Sequence, residues 1–326
     1  MRIKLSTENI LKKSKISLKN VATEGTLVAI LALLFVALTI TTKGFLTPDN
    51  LSNLVRQTAV YGIVALGMTF VIISGGIDLS VGSIVGFSGI IVSMMMKGGY
   101  SISLSIALSI ILSVFFGVLN GVMIHDGKVP PFIATLGTMA VMRGATMLIC
   151  GARMVSGLPK PFLNFSQITI LGIPSLFVVW VIITIISAFI MSKTMFGRNV
   201  YAIGSNVEVA RLSGINIRVN TYAIYGVCAL FSAIAGILMT SRLANGIPTG
   251  GSGYELDAIA AVVVGGASLS GAEGTIVGTV LGAIIMATLR NGGNLLGINP
   301  FVLQILIGFL IVAAVFIDQV RKMRSK

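Results

Sequence analysis

The chain contains few side chains that could carry out chemistry, and they do not form a recognisable catalytic set. The single histidine, His125, lies beside Asp126 in a predicted loop, and nothing around it supports a Ser-His-Asp triad or a histidine-rich metal site. The Gly127-Lys128 pair is followed by Val129, whereas a phosphate-binding Walker loop needs Ser or Thr after its lysine. We therefore predict no catalytic residue, metal site or cofactor, and any ATP that powers this protein is hydrolysed by another chain.

The two cysteines, Cys150 and Cys228, both lie in apolar stretches without a CxxC pair or a nearby histidine. Cysteines in such surroundings are typical of buried, small apolar positions. We therefore predict neither a disulfide nor a metal role for them.

The clearest polar motif is Gly75-Gly-Ile-Asp-Leu-Ser-Val-Gly-Ser83, which interrupts a long apolar stretch. Its glycines allow a helix to break, and Asp78 and Ser80 supply hydrogen-bond acceptors and donors. One interpretation is a hinge or an element of a translocation pathway. The alternative is a helix start, in which Asp78 caps the helix and Ser80 completes its first turn.

Four further polar residues interrupt apolar sequence and are candidates for a pathway: Asn120, Arg143, Asn291 and Asn294. Arg143 would either pair with a carboxylate such as Asp78 inside the protein or extend to a membrane interface. The asparagines would either bind neutral hydroxyl groups along a pathway or hold neighbouring helices together. Both interpretations remain open for each residue.

Glu255 and Asp257 precede an Ala/Val-rich stretch in the motif Tyr254-Glu-Leu-Asp-Ala258. Acidic residues in the first turn of a helix interact favourably with the helix dipole. The functional alternatives are a periplasmic contact with a docking protein or the mouth of a pathway.

The composition indicates that these residues belong to a membrane protein. Of the 326 residues, 55% are hydrophobic and 10% are charged, and the mean hydropathy is +1.00. A soluble domain has about 25% charged residues, and a bilayer-spanning helix needs about 20 mostly apolar ones. We predict an all-α, polytopic helix bundle with about ten transmembrane helices. The predicted spans are 26–42, 57–76, 77–96, 102–124, 131–150, 174–192, 221–241, 255–272, 274–290 and 301–317.

The net charge of +13 follows from membrane topology and requires no nucleic-acid partner. Fourteen of the 23 basic residues lie in residues 1–25, the polar segment 193–220 and the C-terminal tail. Basic residues mark cytoplasmic segments, so we predict that both termini and the 193–220 loop are cytoplasmic. The predicted organisation is a cytoplasmic segment at 1–25, a transmembrane domain at 26–318 and a cytoplasmic tail at 319–326.

Within the 193–220 loop, Asn206 can cap a short helix over Val207–Leu212 that ends at Gly214. Such a helix suits insertion into a groove of a partner protein, and a solvated connector is the alternative.

The sequence also contains weak internal similarities. Val71–Ser80 is similar to Val262–Ser270, and each is followed by Ile-Val-Gly. Internal repeats with glycine-interrupted helices are typical of transport proteins, so we predict a possible internal repeat. Gly-x-x-x-Gly spacings, such as Gly82–Gly86 and Gly117–Gly121, indicate close helix packing.

Five sequence blocks, in the same order across about residues 45–318, resemble the ribose-type sugar permeases of ABC importers. They are Gly75–Ser83, Phe132–Thr138 with Arg143-Gly144, Gly197–Asn206, Arg211–Asn216 and Tyr254–Val263. This family shares a superfamily with branched-chain amino-acid permeases. The resemblance implies a coupling helix that contacts the ATPase, with the residues Gly204, Asn206, Glu208, Ala210, Ser213 and Gly214.

The resemblance further implies a bacterial inner-membrane permease that moves a monosaccharide by alternating access. The expected partners are cytoplasmic ABC ATPase subunits, a periplasmic or lipid-anchored sugar-binding protein, a second permease copy and membrane lipid. The alternatives are a permease for branched-chain amino acids or nucleosides, and an ion-coupled secondary transporter. A secondary transporter would need an intramembrane carboxylate relay, and Asp78 has no evident ionisable partner in the sequence.

Overall fold

The computed structural model describes residues 24–323, so the predicted cytoplasmic segment at 1–25 and the basic end of the tail lie almost wholly outside the described residues. The helices of this range are α1 (Glu24–Thr41), α2 (Pro48–Ile73), α3 (Val81–Lys97), α4 (Ile102–His125), α5 (Pro131–Cys150), α6 (Lys160–Phe165), α7 (Ser175–Lys193), α8 (Met195–Ser205), α9 (Val207–Leu212), α10 (Ile217–Leu243), α11 (Tyr254–Val264), α12 (Ile276–Leu295) and α13 (Pro300–Met323). Between α6 and α7, the two-residue strands β1 (Thr169–Ile170) and β2 (Ile173–Pro174) pair antiparallel, with Thr169 opposite Pro174.

Seven of the described helices are long and apolar enough to cross a membrane, namely α1, α2, α4, α5, α7, α10 and α12. α3 and the Pro300–Ala313 part of α13 are apolar but shorter. The prediction of an all-α membrane helix bundle is therefore confirmed in its coarse form. The count of about ten spans and the internal repeat stay predictions.

α2 and α10 form the centre of the bundle. In their most apolar stretches 83% and 78% of the residues are buried, compared with 6% in α1 and 22% in α4. The outer helices present exposed large apolar side chains, such as Leu33, Ile111 and Phe309. This distribution suits a bundle in lipid, because its outer surface meets hydrocarbon rather than water.

The start of α2 differs from the predicted span 57–76. Thr47 caps the helix by accepting a hydrogen bond from the Asn50 N–H group, Pro48 occupies the first turn, and Asp49 follows it. These features favour a helix N-terminus nine residues before the apolar stretch begins. Helix capping, rather than hydropathy, sets this boundary.

The predicted span 255–272 is wrong beyond Val264, where α11 ends. Gly265 and Gly266 follow directly, and Gly266 has a positive φ of 90°. With 11 residues at 1.5 Å each, α11 is about 16 Å long, roughly half of a 30 Å hydrocarbon core. The Gly75–Ser83 motif, whose glycines allow a helix to break, and the Gly265–Gly274 segment both contain non-helical residues between two helices.

The predicted glycine packing is present at the centre of the bundle. A Cβ atom on Gly117 would lie 2.4 Å from Ala229 Cβ, and one on Gly121 would lie 2.7 Å from Tyr222 Cα. Two turns further along α10, a Cβ atom on Gly236 would lie 2.2 Å from the Val85 carbonyl oxygen of α3. α10 therefore contacts α3 and α4 at backbone distance, which only glycine permits at these positions.

We predict that Gly236→Ala destabilises the protein because the Val85 carbonyl belongs to a helix backbone and cannot rotate away. The expected loss is about 1–3 kcal/mol, typical of overpacking. Thermal unfolding of the purified chain in detergent, followed by size exclusion, measures the effect. Gly144→Ala on α5 is the matched control, because a Cβ atom there has no neighbour within 4 Å. Equal stability of the two variants would contradict close α3–α10 packing.

Candidate functional site

The predicted short helix is present as α9, at the end of the bundle that also holds the C-terminus of α2. Asn206 Oδ1 accepts a hydrogen bond of 3.0 Å from the Val209 N–H group, which caps the helix. Gly214 follows the helix with a φ of 83°, a value that favours glycine. The sequence prediction of a capped helix over Val207–Leu212 is therefore confirmed.

α9 has one buried side and one exposed apolar side. Ala210 is 3% exposed, whereas Val207, Val209 and Leu212 are 46%, 59% and 83% exposed. Glu208 forms an exposed ion pair of 2.6 Å with Arg211, and the Ser213 hydroxyl donates to the Val209 carbonyl oxygen. In the part of the chain that the structure describes, no contact buries Leu212, and apolar groups presented in this way are typical of docking surfaces.

Gly204, just before α9, touches the end of α2 and the loop between α11 and α12. A Cβ atom on Gly204 would lie 1.9 Å from the Ile73 carbonyl oxygen and 2.8 Å from the Ala272 nitrogen. The Ala272 N–H group itself donates to the Ile73 oxygen over 2.8 Å. We call Ile73, Gly204 and Ala272, with the adjoining Gly75 and Gly271, the glycine junction. It joins the Val71–Ser80 segment to Gly271 and Ala272, which directly follow the similar segment Val262–Ser270.

A buried polar chain runs inward from the glycine junction. Asp78 Oδ1 accepts hydrogen bonds from the Ser80 N–H group (2.8 Å) and the Ser80 hydroxyl (2.5 Å). Asn120 Nδ2 of α4 donates to Ser80 Oγ over 3.0 Å, and the Thr138 hydroxyl of α5 donates to Asn120 Oδ1 over 2.5 Å. Asp78, Ser80 and Asn120 have no exposed surface. These four residues, which we call the polar network, therefore connect three separate segments.

The structure shows a helix start at the Gly75–Ser83 motif, whereas a place of this motif in a translocation pathway stays a prediction. Ser80 is the N-cap residue of α3 by position, but its side chain makes no cap hydrogen bond. Asp78 instead binds the Ser80 N–H group, as in an Asx turn, and also joins Ser80 to the chain of residues on α4 and α5. Tyr225 and Cys228 of α10 lie beside Asp78. Sequence reasoning did not anticipate Thr138, whose role depends on the packing of α5 against α4.

The suggested pairing of Arg143 with Asp78 is wrong. Arg143 Nη2 instead donates to Glu255 Oε1 over 2.7 Å. The Arg143 side chain is 39% exposed, and it occupies the thirteenth position of the 20-residue α5. A charged side chain at this depth is costly against lipid, and the ion pair with Glu255 offsets part of that cost.

Glu255 and Asp257 lie in the first turn of α11 and are 8% and 4% exposed. Asp257 Oδ1 accepts a hydrogen bond of 2.6 Å from Arg290 Nη2 of α12. Both carboxylates are therefore inside the bundle and paired with arginines. Asp257 Oδ2 and Arg290 Nε have no hydrogen-bond partner among the described residues, so they retain capacity to bind another polar group.

Two tyrosines lie beside this pair, and Arg242 lies near the tyrosines and near Arg56. The rings of Tyr61 and Tyr254 lie 4.4 Å apart between centroids, and the Arg290 guanidinium carbon is 5.9 Å from the Tyr61 centroid. Arg242 of α10 and Arg56 of α2 are close enough to influence each other electrostatically. Hydropathy analysis missed these residues. The predicted span began at residue 57 and so excluded Arg56, the charged residue of α2 that could have indicated this group of tyrosines and arginines.

The asparagines of α12 differ in their surroundings. Asn291 and Asn50 exchange two amide hydrogen bonds, of 2.8 and 3.1 Å, which tie α12 to the start of α2. This geometry favours the interpretation of Asn291 as a residue that holds helices together. Asn294 is exposed near the end of α12.

The α4–α5 turn is attached to the start of α10 close to α9. The Tyr222 hydroxyl donates to Asp126 Oδ2, and Arg218 Nη2 binds the same oxygen over 3.0 Å. The Tyr222 hydrogen bond, with smaller effects of His125 and Arg218, lowers the pKa of the Asp126 carboxyl to about 2. Asp126 therefore stays ionised at physiological pH, and this attachment does not depend on pH in that range.

A bundle of apolar helices that encloses a polar network, and that carries a short helix with exposed apolar side chains at one end, has the features of a transporter's membrane subunit. The comparison with known proteins agrees. Residues 50–315 match the family model described as branched-chain amino acid transport system / permease component, and the chain belongs to this family. It is a multi-pass membrane protein and a transport subunit rather than an enzyme.

Several curated proteins are similar to this chain along most of their length. The ribose import permease protein RbsC of Bacillus subtilis (strain 168) is 46% identical over 291 residues, which cover 89% of this chain and 90% of the relative. The probable ABC transporter permease protein YphD of Escherichia coli (strain K12) is 38% identical, with 92% and 90% covered. The D-allose transport system permease protein AlsC of the same strain is 33% identical, with 84% and 85% covered. No solved structure matches.

We predict that Asp257 and Arg290 are energetically coupled. Asp257→Asn alone leaves the largely buried guanidinium of Arg290 without a counter-charge, and the expected loss is about 3 kcal/mol, the low end for a buried pair. The double variant with Arg290→Gln recovers much of this loss, because neither charge remains. Unfolding of the four proteins in detergent measures the cycle.

The exposed pair Glu208–Arg211 is the matched control, since both side chains are about two-thirds exposed. The same cycle there is expected to give less than about 0.5 kcal/mol. Additive losses at Asp257 and Arg290 would contradict the coupling.

Proposed function

We propose that this chain is the permease subunit of an ATP-driven ABC importer that moves a monosaccharide of the ribose class across the bacterial inner membrane. The names of the ribose and allose permeases, and the high coverage of these matches, support a sugar as the transported substrate. The family description, by contrast, names branched-chain amino acids. The relatives that are 46% and 33% identical over most of the chain carry sugar names, and on that ground sugar is preferred to amino acids or nucleosides.

The observation that carries the proposal is the continuity between α9 and the polar network. Gly204 adjoins the cap of α9 and contacts the ends of α2 and the α11–α12 loop at backbone distance. Asp78 lies five residues beyond Ile73 and joins α4 and α5 through Ser80 and Asn120. A displacement of α9 would therefore reach the buried polar groups through backbone contacts, which deform little. This is the connection that an importer driven by an external ATPase requires.

The proposed orientation places α9, the 193–220 loop and both termini in the cytoplasm, with ten crossings in total. Two ATPase subunits would bind the exposed apolar side of α9, with Gly204, Asn206, Glu208, Ala210, Ser213 and Gly214 at or beside the contact. A periplasmic or lipid-anchored sugar-binding protein would dock at the opposite end. A second permease copy would complete the transporter.

The translocation pathway would run along the side of α5 and α11 that contains Arg143. A half-exposed arginine in mid-span is tolerated next to water or another polar surface but not next to lipid. Glu255 and Asp257 would then form the pathway mouth, a role that their burial favours over docking of the binding protein. Arg290, Tyr61 and Tyr254 add donors and a ring face, which together suit the hydroxyl groups and the apolar faces of a sugar. The other proposed pathway residues are Asp78, Ser80, Asn120 and Asn294, whereas Asn291 is proposed to hold α12 against α2.

In the proposed cycle, the loaded binding protein docks, ATP closes the ATPase dimer, and α9 moves with it. The glycine junction passes this displacement to the polar network, and the bundle opens alternately to the two sides. The binding protein sets most of the specificity, so the permease needs few fixed polar groups along its pathway.

The first prediction of this proposal concerns the cargo. Proteoliposomes with this permease and its ATPase and binding-protein partners are expected to accumulate labelled ribose only with ATP inside and binding protein outside. Uptake of leucine or a nucleoside under the same conditions would favour the alternative permeases. Ribose uptake driven by a proton or sodium gradient without ATP would overturn the ABC proposal.

The second prediction concerns α9. Leu212→Glu places a charge on the proposed docking side, and we expect loss of most ATPase stimulation and sugar uptake with an unchanged unfolding temperature. Leu171→Glu is the control for an added surface charge, because Leu171 is 97% exposed in the β1–β2 turn, away from α9. Since the binding protein is proposed to dock at that end, the two variants are compared by co-purification with the ATPase subunits, which Leu171→Glu is expected to retain. Retention of the ATPase and full sugar uptake by Leu212→Glu would contradict a coupling role for α9.

A further inference from the structure

An elongated apolar cavity lies between α4, α6 and α10, away from the pathway described above. Its volume is about 330 Å³, and its lining is almost entirely apolar. Along α4 it is lined by Ile102, Ile106 and Ile110, which stand one turn apart on one side of the helix. From Ile102 to Ile110 the rise is about 12 Å, so the cavity extends along the helix axes rather than across them.

The cavity begins at the membrane surface opposite α9. Ile102 is the first residue of α4, and Ser241 lies near the end of α10, so both mark the outer end of the cavity. Pro161 and Phe165 of α6 line the same end and are exposed, whereas Phe162 and Leu238 are buried behind them. The cavity is therefore accessible from the surface of the chain and deepens towards the middle of the bundle.

α6 is held over this end by side-chain hydrogen bonds to the backbone. The Ser241 hydroxyl donates to the Phe162 carbonyl oxygen over 2.6 Å, and the Ser166 hydroxyl donates to the Ser241 carbonyl oxygen over 3.1 Å. Because these bonds use the Ser241 hydroxyl, the cavity contains almost no free polar group. An apolar space of this kind does not hold water. Its occupant has to be apolar and abundant around the protein, and in a membrane that is an acyl chain.

The charge at the outer end of the cavity indicates which lipid headgroup binds there. Lys160 immediately precedes Pro161, begins α6 and is exposed. A lysine at the surface of a membrane attracts anionic lipid headgroups. A phosphate beside Lys160 would place its acyl chain directly over the outer end of the cavity, in the direction in which the cavity extends.

We propose that the cavity between α4, α6 and α10 is a binding site for an anionic phospholipid. One acyl chain lies along Ile102, Ile106 and Ile110, and the phosphate group binds Lys160. The lipid fills the gap between α4 and the central helix α10, beneath α6. This inference is independent of the transported substrate, since it uses none of the pathway residues.

The test uses the full-length chain in detergent with a phosphatidylglycerol that carries a photoreactive diazirine halfway along one acyl chain. We expect cross-links to the peptides of α4 and α10 that line the cavity. Ile106→Trp fills the cavity and is expected to lower cross-linking about tenfold, because the ring displaces at least two methylene groups of the chain. Leu108→Trp is the matched control, since Leu108 lies on the same helix but is exposed on its outer side.

The headgroup is tested with Lys160→Gln and with the corresponding phosphatidylethanolamine probe. We expect the parent chain to prefer phosphatidylglycerol and Lys160→Gln to lose this preference about fivefold, as for one basic residue at a membrane surface. Equal cross-linking of the Ile106→Trp and Leu108→Trp variants would overturn the proposal. Cross-links spread evenly around the outer helices would also overturn it, as would coverage of this side of the bundle by a second copy of the chain. The position of the cross-links in the parent chain tests the proposed lipid site even where a variant does not fold.

Discussion

The absence of hydrogen-bond partners in hydrocarbon is the constraint on which the rest of this structure depends. Each polar group within the bilayer has to find its partner inside the chain. The bundle nevertheless contains two helix breaks, before α3 and after α11. Both are possible because the freed groups bind within the bundle: Ile73 binds Ala272, and Asp78 binds Ser80.

Close helix packing is the second requirement, and it follows from the first. Apolar side chains gain little by leaving lipid for one another, so helices associate through contact distance and hydrogen bonds. The glycines of α4 and α10 permit that distance, and the same approach brings Asn120 within reach of Ser80. The polar network is thus a consequence of the packing as well as a contributor to it.

The charged residues separate into two groups with different physical roles. The ion pair of α9 is exposed and contributes little to the stability of the fold. The exposed side of α9 is therefore available for contact with a partner protein. The carboxylates at the start of α11 are buried, and each arginine there compensates a carboxylate that would otherwise be costly. The buried pairs still leave unpartnered atoms, and a polar solute in a pathway can use such atoms.

The sequence by itself determined the class of protein and the elements that depend on neighbouring residues. Hydropathy indicated the membrane helices, and a capping asparagine with a following glycine located α9 to the residue. Hydropathy failed where backbone geometry decides, at the start of α2 and beyond Val264. Only the tertiary structure decided that Arg143 pairs with Glu255 rather than Asp78, that Arg290 pairs with Asp257, and that Tyr61 contacts Tyr254. These partners are between 33 and 193 residues apart along the chain, and the packing of helices, rather than any local pattern, sets which side chains meet.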